Sequence, residues 1–208
     1  MSERVELSVA EMNPRTVYPW LTASLIPRPI AWVSTVSADG VDNLAPHSFT
    51  TVAGVEPPTL CFVSVGHKDT LANVRGTGDF VLNIGSDPLM QAMNDSATPF
   101  PAGISEFDAA GLTREPSAVV RPPRVAGAPI VFECRAAGEH EIGSSVMIFG
   151  EVVHIAARRD CLERDGMPDP VLVAPLARLG RSQWSRLGEV FERKRITFDQ
   201  WQDGIRTE

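Results

Sequence analysis

The sequence has few cysteines and almost no lysine. Among its 208 residues are three cysteines, Cys61, Cys134 and Cys161, which are widely spaced and form no C-x-x-C pair. An odd number of isolated thiols disfavours both a disulfide framework and structural zinc. We therefore expect reduced cysteines in a reducing compartment, and Cys61, which lies among apolar neighbours, is expected in the core.

Three other features are missing, and each excludes a class of protein. The formal net charge is -7 and the pI about 5.1, so no broad basic surface is available for a nucleic acid backbone. No run of about 18 apolar residues could span a membrane. The N-terminus lacks the basic and then apolar segments of a secretory signal. We expect a cytoplasmic protein with neither nucleic acid nor membrane as its partner.

Several enzyme motifs are also absent. The sequence contains no G-x-G-x-x-G after a strand, no G-x-x-x-x-G-K-[ST] loop and no G-x-S-x-G elbow. His47 and His67 lack the spacing and the companion ligands of a metal site, so no metal is expected. A nucleotide, if bound, must be held in some other way than by a Rossmann or P-loop motif.

What is present is mainly strand-forming sequence. The segments are short, rich in β-branched and aromatic residues, and separated by turn residues such as Ala38-Asp39-Gly40. The predicted strands are Ile30 to Ser37, Val41 to Ala53, Thr59 to Val65, Asp79 to Ile84, Ile130 to Ala137 and Ser145 to Ala157. Pro46 interrupts the second of them, which predicts an edge position or a bulge. This pattern favours a closed or nearly closed antiparallel barrel with peripheral short helices.

Helices are predicted at three places. Residues 69 to 75 show helical spacing, with Asp69 or Thr70 as the N-cap and glycines at the end. Residues 88 to 94 predict a second short helix with Leu89, Met90 and Met93 turned inward. Residues 171 to 201 predict a mainly helical tail. Its apolar face would contain Leu176, Leu179, Trp184, Leu187 and Phe191.

One domain is expected for residues 1–208, because this length supports a single full core. Its core would span about residues 18–187, and the helical tail residues 171–208. The proline-rich stretch 95–128 predicts a long ordered loop of the kind that often forms a lid. Glu139-His140-Glu141 is expected in a solvated turn at the tip of the hairpin that follows.

The tetrapeptide His67, Lys68, Asp69 and Thr70 stands after a strand and opens a helix. Unpaired N–H groups and the positive end of the helix dipole make such a place an anion site. Lys68 would add a positive charge and Thr70 a hydroxyl donor, which suits a phosphomonoester. From these four residues alone, an ordinary capped helix with an exposed lysine is the simpler interpretation.

A second polar cluster runs from Asn43 to Phe49. Amide, imidazole and hydroxyl groups would lie here beside Pro46, and Phe49 offers a surface for a planar ring. A polar crossover between two strands, without a ligand, explains the same residues equally well. Ser34 and Thr35 on the first strand are either ligand contacts or ordinary barrel residues.

Taken together, the motifs resemble the flavin reductase-like family, which has an FMN-binding split-barrel fold of antiparallel Greek-key type. The similarity extends from about Tyr18 to Leu187 and keeps the motifs in the family's order. The motifs are RPIAWVST at 28–35, NLAPHSF at 43–49, EPPTLCFV at 56–63, KDTLANV at 68–74, FVLNI at 80–84, FPAGISEF at 100–107, IFGEVVHI at 148–155 and ARLGRSQW at 177–184.

The resemblance implies FMN bound at the interface of a homodimer. It places two groups of residues on the cofactor, one around the ring and one around the phosphate. Arg28 and Asn83 would be further contributors. Arg178 to Gly180 and Trp184 would come from the partner subunit. Around the ring and ribityl chain it places Ser34, Thr35, Asn43, Ala45, Pro46, His47 and Ser48. Around the phosphate it places His67, Lys68, Asp69 and Thr70.

One departure from the family pattern concerns the electron donor. Many members that use NAD(P)H have Gly-Asp-His where this sequence has Gly143-Ser144-Ser145. Two functions therefore stay open, with no catalytic side chain identified for either. The first is an NAD(P)H:flavin reductase-like oxidoreductase that passes hydride or electrons through FMN to a monooxygenase or another acceptor. The second is a non-catalytic FMN-binding or electron-carrier protein; a barrel that has lost flavin and serves as an interaction module is a third, weaker alternative.

Overall fold

Antiparallel strands form the body of the structure, a computed structural model that describes residues 3–101 and 103–204. Apolar alternation and β-branched residues give long strands wherever the chain crosses the core. The strands are β1 (Arg28–Pro29), β2 (Ala31–Val36), β3 (Asp42–His47), β4 (Thr50–Val55), β5 (Pro58–Val65), β6 (Asp79–Ile84), β7 (Arg114–Glu115), β8 (Arg124–Val125), β9 (Ile130–Ile142), β10 (Ser145–Ala157), β11 (Ala177–Arg178) and β12 (Trp184–Ser185).

Short helices surround these strands. Two single 3-10 turns, Asp87–Leu89 and Arg159–Cys161, accompany them. The α-helices are α1 (Pro14–Ser24), α2 (Asp69–Thr77), α3 (Met90–Asp95), α4 (Glu106–Ala109), α5 (Pro170–Val173) and α6 (Phe198–Gln202). The expected mainly β architecture with antiparallel sheets and peripheral short helices is confirmed.

Seven strands make one sheet in the order β3-β2-β6-β9-β10-β5-β4. The sheet curls so that its first strand approaches β5: the His47 side chain bonds to Val63 O at 3.2 Å, and the N–H of Val63 donates to Phe49 O at 2.9 Å. The curled sheet is therefore a barrel that is split along β3.

The core fills both faces of β2, and that strand is buried at nearly every position. Trp32 is fully buried on one face with Phe107, and Val33 is fully buried on the other with Phe62 and Phe80. In the IFGEVV segment, a Cβ on Gly150 would lie 2.2 Å from the Phe80 ring. Glycine at this position lets the ring pack against β10.

The predicted strand from Val41 to Ala53 is in fact two strands. β3 pairs with β2 at one edge of the sheet, whereas β4 pairs with β5 at the other edge. Pro46 lies in β3, and its predicted edge position is confirmed. The alternative of a bulge there is wrong, because β2 and β3 keep one register from Ala31↔His47 to Val36↔Asp42.

Two other local predictions need correction. β9 continues to Ile142 instead of ending at Ala137, so Glu139-His140-Glu141 is strand and not turn. Cross-strand pairing with β10 extends the ladder. Arg75, which lies on α2, donates hydrogen bonds to both Glu139 and Glu141. Met90 is exposed, although Met93 of the same helix is buried as predicted.

The predicted helical tail is wrong over most of its length. β11 pairs there with β1 and with β12, residues 186–197 contain no helix, and in the tail as far as residue 204 only α5 and the short α6 are helical. A tight turn at Gly180 interrupts the helical spacing, and the N–H of Gln183 closes it by donating to Gly180 O at 3.1 Å. Gly180 also packs closely on Ala23, since an added Cβ would lie 2.8 Å from the Ala23 Cβ. Arg181 follows with a positive φ of 55°. Leu176 is buried, but Leu187 and Phe191 are exposed.

A buried ion pair fastens the 95–128 segment to the barrel. Glu133 on β9 is fully buried and bonds to Arg124 at 2.6 Å. It also accepts the N–H groups of Ala118 and Val119, each at 2.8 Å. Burial alone would raise the pKa of Glu133, but these N–H groups and the Arg124 charge together lower it.

We expect Glu133→Gln to reduce the free energy of unfolding by about 3 kcal/mol, because it leaves the Arg124 charge without its buried partner. Urea unfolding at neutral pH measures this loss. The matched control is Glu139→Gln, which breaks the exposed pair with Arg75 and should leave the urea midpoint unchanged. Equal midpoints for both variants would contradict the role given to the buried pair.

Candidate functional site

A cavity of about 410 Å³ opens along the split of the barrel. Its walls come from β3 and the crossover after it, from β5, from the start of α2 and from the 95–128 segment. The lining residues are Tyr18, Asn43, Ala45, Pro46, His47, Ser48, Phe49, Val63, Val65, Lys68, Asp69, Ser96, Ala97, Thr98, Pro99, Phe100 and Glu106.

The cavity brings together both polar clusters of the sequence. From the first cluster it contains all five predicted contact residues, and from the second it contains Lys68 and Asp69. The predicted residues that line it are Asn43, Ala45, Pro46, His47, Ser48, Lys68 and Asp69. The remaining residues predicted for this subunit are Arg28, Ser34, Thr35, His67, Thr70 and Asn83, which lie outside its lining.

Two of these remaining residues, Thr35 and Thr70, connect the walls of the cavity through buried hydrogen bonds. Asn43 donates through its amide nitrogen to Thr35 Oγ1 at 3.3 Å and to Thr70 Oγ1 at 3.1 Å. Asn73 also donates to Thr35, at 3.1 Å. This buried network ties β2 and β3 to α2, and so fixes the start of the helix beside the strand edge.

Ser34 lies on the other side of the sheet. Its hydroxyl donates to Pro123 O, in the 95–128 segment, and it accepts a long bond from Asn83. His67 is exposed just before the helix. Neither residue lines the cavity, although the resemblance placed both on the cofactor.

Arg28 is a buried cation next to the cavity. Its guanidinium donates to the carbonyl oxygens of Thr22, Leu25 and Leu179, and at 3.5 Å to Ser48 Oγ. No carboxylate among the described residues forms an ion pair with it. Its charge therefore contributes a positive potential at the Ser48 end of the cavity.

His47 lines the cavity, and one nitrogen of its ring is buried without a hydrogen-bond partner. Its Nδ1–H donates to Val63 O, which leaves a lone pair on Nε2. Within residues 3–101 and 103–204, this Nε2 is the buried side-chain atom that has no hydrogen-bond partner. Burial lowers the pKa of His47 to about 4, against the bond to Val63 and aided by the Lys68 charge, so the ring is neutral at pH 7.

The start of α2 forms a wall of the same cavity that can bind an anion. Lys68 is the N-cap, in place of the predicted Asp69 or Thr70, and no side chain caps the helix. The first-turn N–H groups of a helix have no partner within the helix. Here they lie with the Lys68 ammonium group at a cavity wall, where they can bind a negatively charged group.

Sequence reasoning missed several residues of the cavity. Tyr18 and Val65 belong to no motif, Val63 ends the EPPTLCFV motif but was given no role, and segment 96–100 was predicted only as part of a lid. Glu106 belongs to the FPAGISEF motif but was given no role. It reaches the cavity because its Oε2 accepts the N–H of Leu44, 62 positions away in the chain, at 2.8 Å. Such long-range contacts leave no periodic signal.

The cavity fits the parts of a flavin nucleotide. A flavin ring is planar and largely apolar, and its imide N–H is a hydrogen-bond donor. Tyr18, Pro46 and Phe49 supply apolar surface, His47 supplies an acceptor, and the start of α2 supplies donors and positive charge for a phosphate. An antiparallel split barrel with such a cavity is the architecture of a flavin-binding barrel protein.

Comparison with known proteins assigns the family. A model of the flavin reductase like domain matches residues 23–175, and the chain belongs to this family of flavoprotein oxidoreductases. An uncharacterized protein of Aquifex aeolicus is 36% identical over 182 residues, which cover 85% of this chain and 92% of that one.

Two solved structures have the same fold with moderate sequence identity. Nitrilotriacetate monooxygenase component B from Bacillus cereus has a TM-score of 0.89 at 30% identity, covering 93% of this chain and all of that one. The 2-nitrobenzoate 2-nitroreductase NbaA of Pseudomonas fluorescens has a TM-score of 0.87 at 28% identity, covering 93% and 98%.

The described residues lack features of two other classes of protein. They contain no cluster of three or more His, Cys, Asp or Glu side chains that could hold a metal ion. None of their helices is long and apolar enough to cross a membrane.

The buried neutral histidine gives stability a pH dependence that can be measured. The pKa of an unfolded histidine is about 6.5, so His47 contributes fully above that pH, and its contribution is lost as the pH falls to about 4. We expect the free energy of unfolding to fall by about 3 kcal/mol across this range from His47 alone. Urea unfolding at a series of pH values measures the loss.

The variant His47→Asn keeps a donor near Nδ1 but cannot titrate, so its unfolding free energy should vary less between pH 6.5 and pH 4. The exposed His140→Asn variant is the matched control. A pH profile of His47→Asn identical to that of the unchanged protein would show that His47 is not held neutral.

Proposed function

We propose that the protein binds FMN in this cavity and acts as a flavin-dependent oxidoreductase. One observation carries the proposal: His47, whose buried Nε2 has no hydrogen-bond partner, and an uncapped helix start with Lys68 line the same cavity. The acceptor nitrogen of His47 complements an imide N–H, and the helix start with Lys68 complements a phosphate. A ligand that has both at opposite ends is a flavin mononucleotide.

The orientation of FMN follows from this division. Its ring lies along Asn43 to Ser48, with the imide edge toward His47. Its phosphate lies at the start of α2, with Lys68, Asp69 and the exposed His67 around it. Thr35 and Thr70 act as positioning residues, since they fix Asn43 and the helix through hydrogen bonds. Arg28 and Ser34 support the walls from outside the cavity.

When bound, the flavin supplies the hydride and electron transfer chemistry, and the protein supplies binding, orientation and electrostatics. His47 accepts a hydrogen bond at Nε2 and remains neutral. Segment 96–100 covers one side of the cavity and limits the access of water. Arg28 provides an uncompensated positive charge near Ser48, which favours electron density on the flavin.

The electron donor in this proposal is NADH or NADPH. The turn at Gly143-Ser144 lies near the cavity, since Gly66 N–H bonds to Ser144 O at 3.0 Å just beyond Val65. A nicotinamide ring would approach from this side.

Ser144 and Ser145 stand where related reductases have Asp and His, so a second function is a flavin protein that carries electrons without oxidising NAD(P)H directly.

The proposal also includes a homodimer, a separate acceptor protein and a cytoplasmic location. Exposed apolar residues on α1 and β4, among them Trp20, Leu21, Val52 and Val55, support contact with a second copy. Arg178 and Trp184, which stack at 4.8 Å outside this cavity, are available to the partner's site.

The similarity to a monooxygenase component B supports a monooxygenase as the acceptor.

We expect Lys68→Ala to weaken FMN binding by about tenfold and riboflavin binding by less than about twofold, because only FMN carries the phosphate. Quenching of flavin fluorescence measures both dissociation constants. Lys194→Ala, which removes an exposed lysine of the tail, is the matched control for net charge. Equal weakening of both ligands would show that Lys68 does not contact the phosphate.

Anaerobic mixing with NADH and NADPH separates the two functions. We expect the absorbance of bound flavin near 450 nm to bleach with at least one donor in a stopped-flow experiment. Dithionite is the control that shows the flavin to be reducible. Bleaching by dithionite alone would favour the electron carrier, and a protein that binds no FMN at all would refute both functions.

A further inference from the structure

Glu106 is a buried carboxyl group in the cavity for which the proposed flavin chemistry has given no role. Its residue is 8% exposed, it lines the cavity, and it opens the short helix α4. Oε2 accepts the Leu44 N–H at 2.8 Å. Among the described residues, no arginine or lysine side chain forms an ion pair or hydrogen bond with it.

The surroundings of Glu106 contain more negative than positive charge. Burial, and then the charges of Asp69 and Asp42, raise its pKa, although the Leu44 N–H opposes them. Arg114 is already bonded to Asp42 and Asp108. The charged and titratable groups around Glu106 are Asp42 and His47 on β3, Lys68 and Asp69 at the start of α2, Asp108 on α4 and Arg114 on β7.

A bound phosphate would make this imbalance larger. Asp69 and Lys68 line the cavity with Glu106, and the Asp69 charge acts on the Glu106 carboxyl group, so a phosphate at the start of α2 would add another negative charge that acts on Glu106. Two anionic groups that share a buried site cannot both remain ionised without a large cost, and a proton between them removes the repulsion. A protonated carboxyl group is moreover a donor, and phosphate oxygens are strong acceptors.

We infer that Glu106 binds the FMN phosphate in its protonated form, through an O–H···O–P hydrogen bond, so that FMN binding takes up one proton from solution. This inference rests on the proposed FMN site and adds a specificity residue to it. The proton stays on Glu106 in the complex, and no covalent bond changes. Riboflavin, which has no phosphate, binds without this proton.

The sign of the pH dependence follows directly. At low pH Glu106 is protonated before FMN arrives, and binding has its full strength. As the pH rises, the free protein loses this proton and must take it up again on binding, so the dissociation constant for FMN increases by up to about tenfold for each pH unit. Above about pH 7.5 the phosphate itself is a dianion throughout, because its second pKa is about 6.

The experiment compares the full chain with Glu106→Gln, which keeps an acceptor for Leu44 and a permanent donor for the phosphate. Dissociation constants for FMN and riboflavin are measured by calorimetry between about pH 7.5 and about pH 9, in two buffers of different ionisation enthalpy. The exposed Glu151→Gln variant is the matched control for loss of one negative charge.

We expect the FMN dissociation constant of the unchanged protein and of Glu151→Gln to rise about tenfold or more over this range, with uptake of about one proton. For Glu106→Gln, and for riboflavin with every protein, it should change by less than about twofold. FMN binding without proton uptake, or equal pH dependence for riboflavin, would overturn the inference alone. Failure of all three proteins to bind either flavin would refute the proposed function as well.

Discussion

The free edge of β3 is the constraint on which the site depends. Antiparallel pairing with β2 turns the backbone nitrogens at positions 42, 44 and 46 of β3 outward. Leu44 N–H is bonded to Glu106, and Pro46 has no N–H to leave unpaired. The edge is thus protected from pairing with another strand, and the barrel can stay split there without exposing a template for aggregation.

The 95–128 segment protects that edge and at the same time builds the cavity. Glu133 and Arg124 anchor its base to β9, and Ser34 and Asn83 bind its backbone at Pro123 and Val125. With the base fixed, α4 carries Glu106 to β3. A loop with so many prolines has little order of its own, so the buried ion pair and these backbone bonds explain why it can serve as a precise cavity wall.

Local sequence signals predicted those parts that depend on neighbours in the chain. The strand Asp79–Ile84 has the predicted bounds, and Gly78 ends α2 in the left-handed conformation, as its glycine indicated. Features set by distant contacts were not predictable in this way. Glu106 reaches the cavity across 62 positions. The tail has helical spacing, but its turn at Gly180 packs against Ala23, and the small β1-β11-β12 sheet replaces the helix.

The proposed phosphate site belongs to a protein with a net charge of -7, and the local arrangement of charges accounts for this. At physiological ionic strength, exposed charges are largely screened beyond about 8 Å, so distant carboxylates have little effect on a ligand in the cavity. Within that distance the start of α2 and Lys68 attract an anion, whereas Asp69 and Glu106 oppose it. The neutral His47 adds no charge to either side. The balance at the phosphate end therefore depends on how many of its two carboxyl groups are ionised, and a single proton on Glu106 changes that balance from repulsive to attractive.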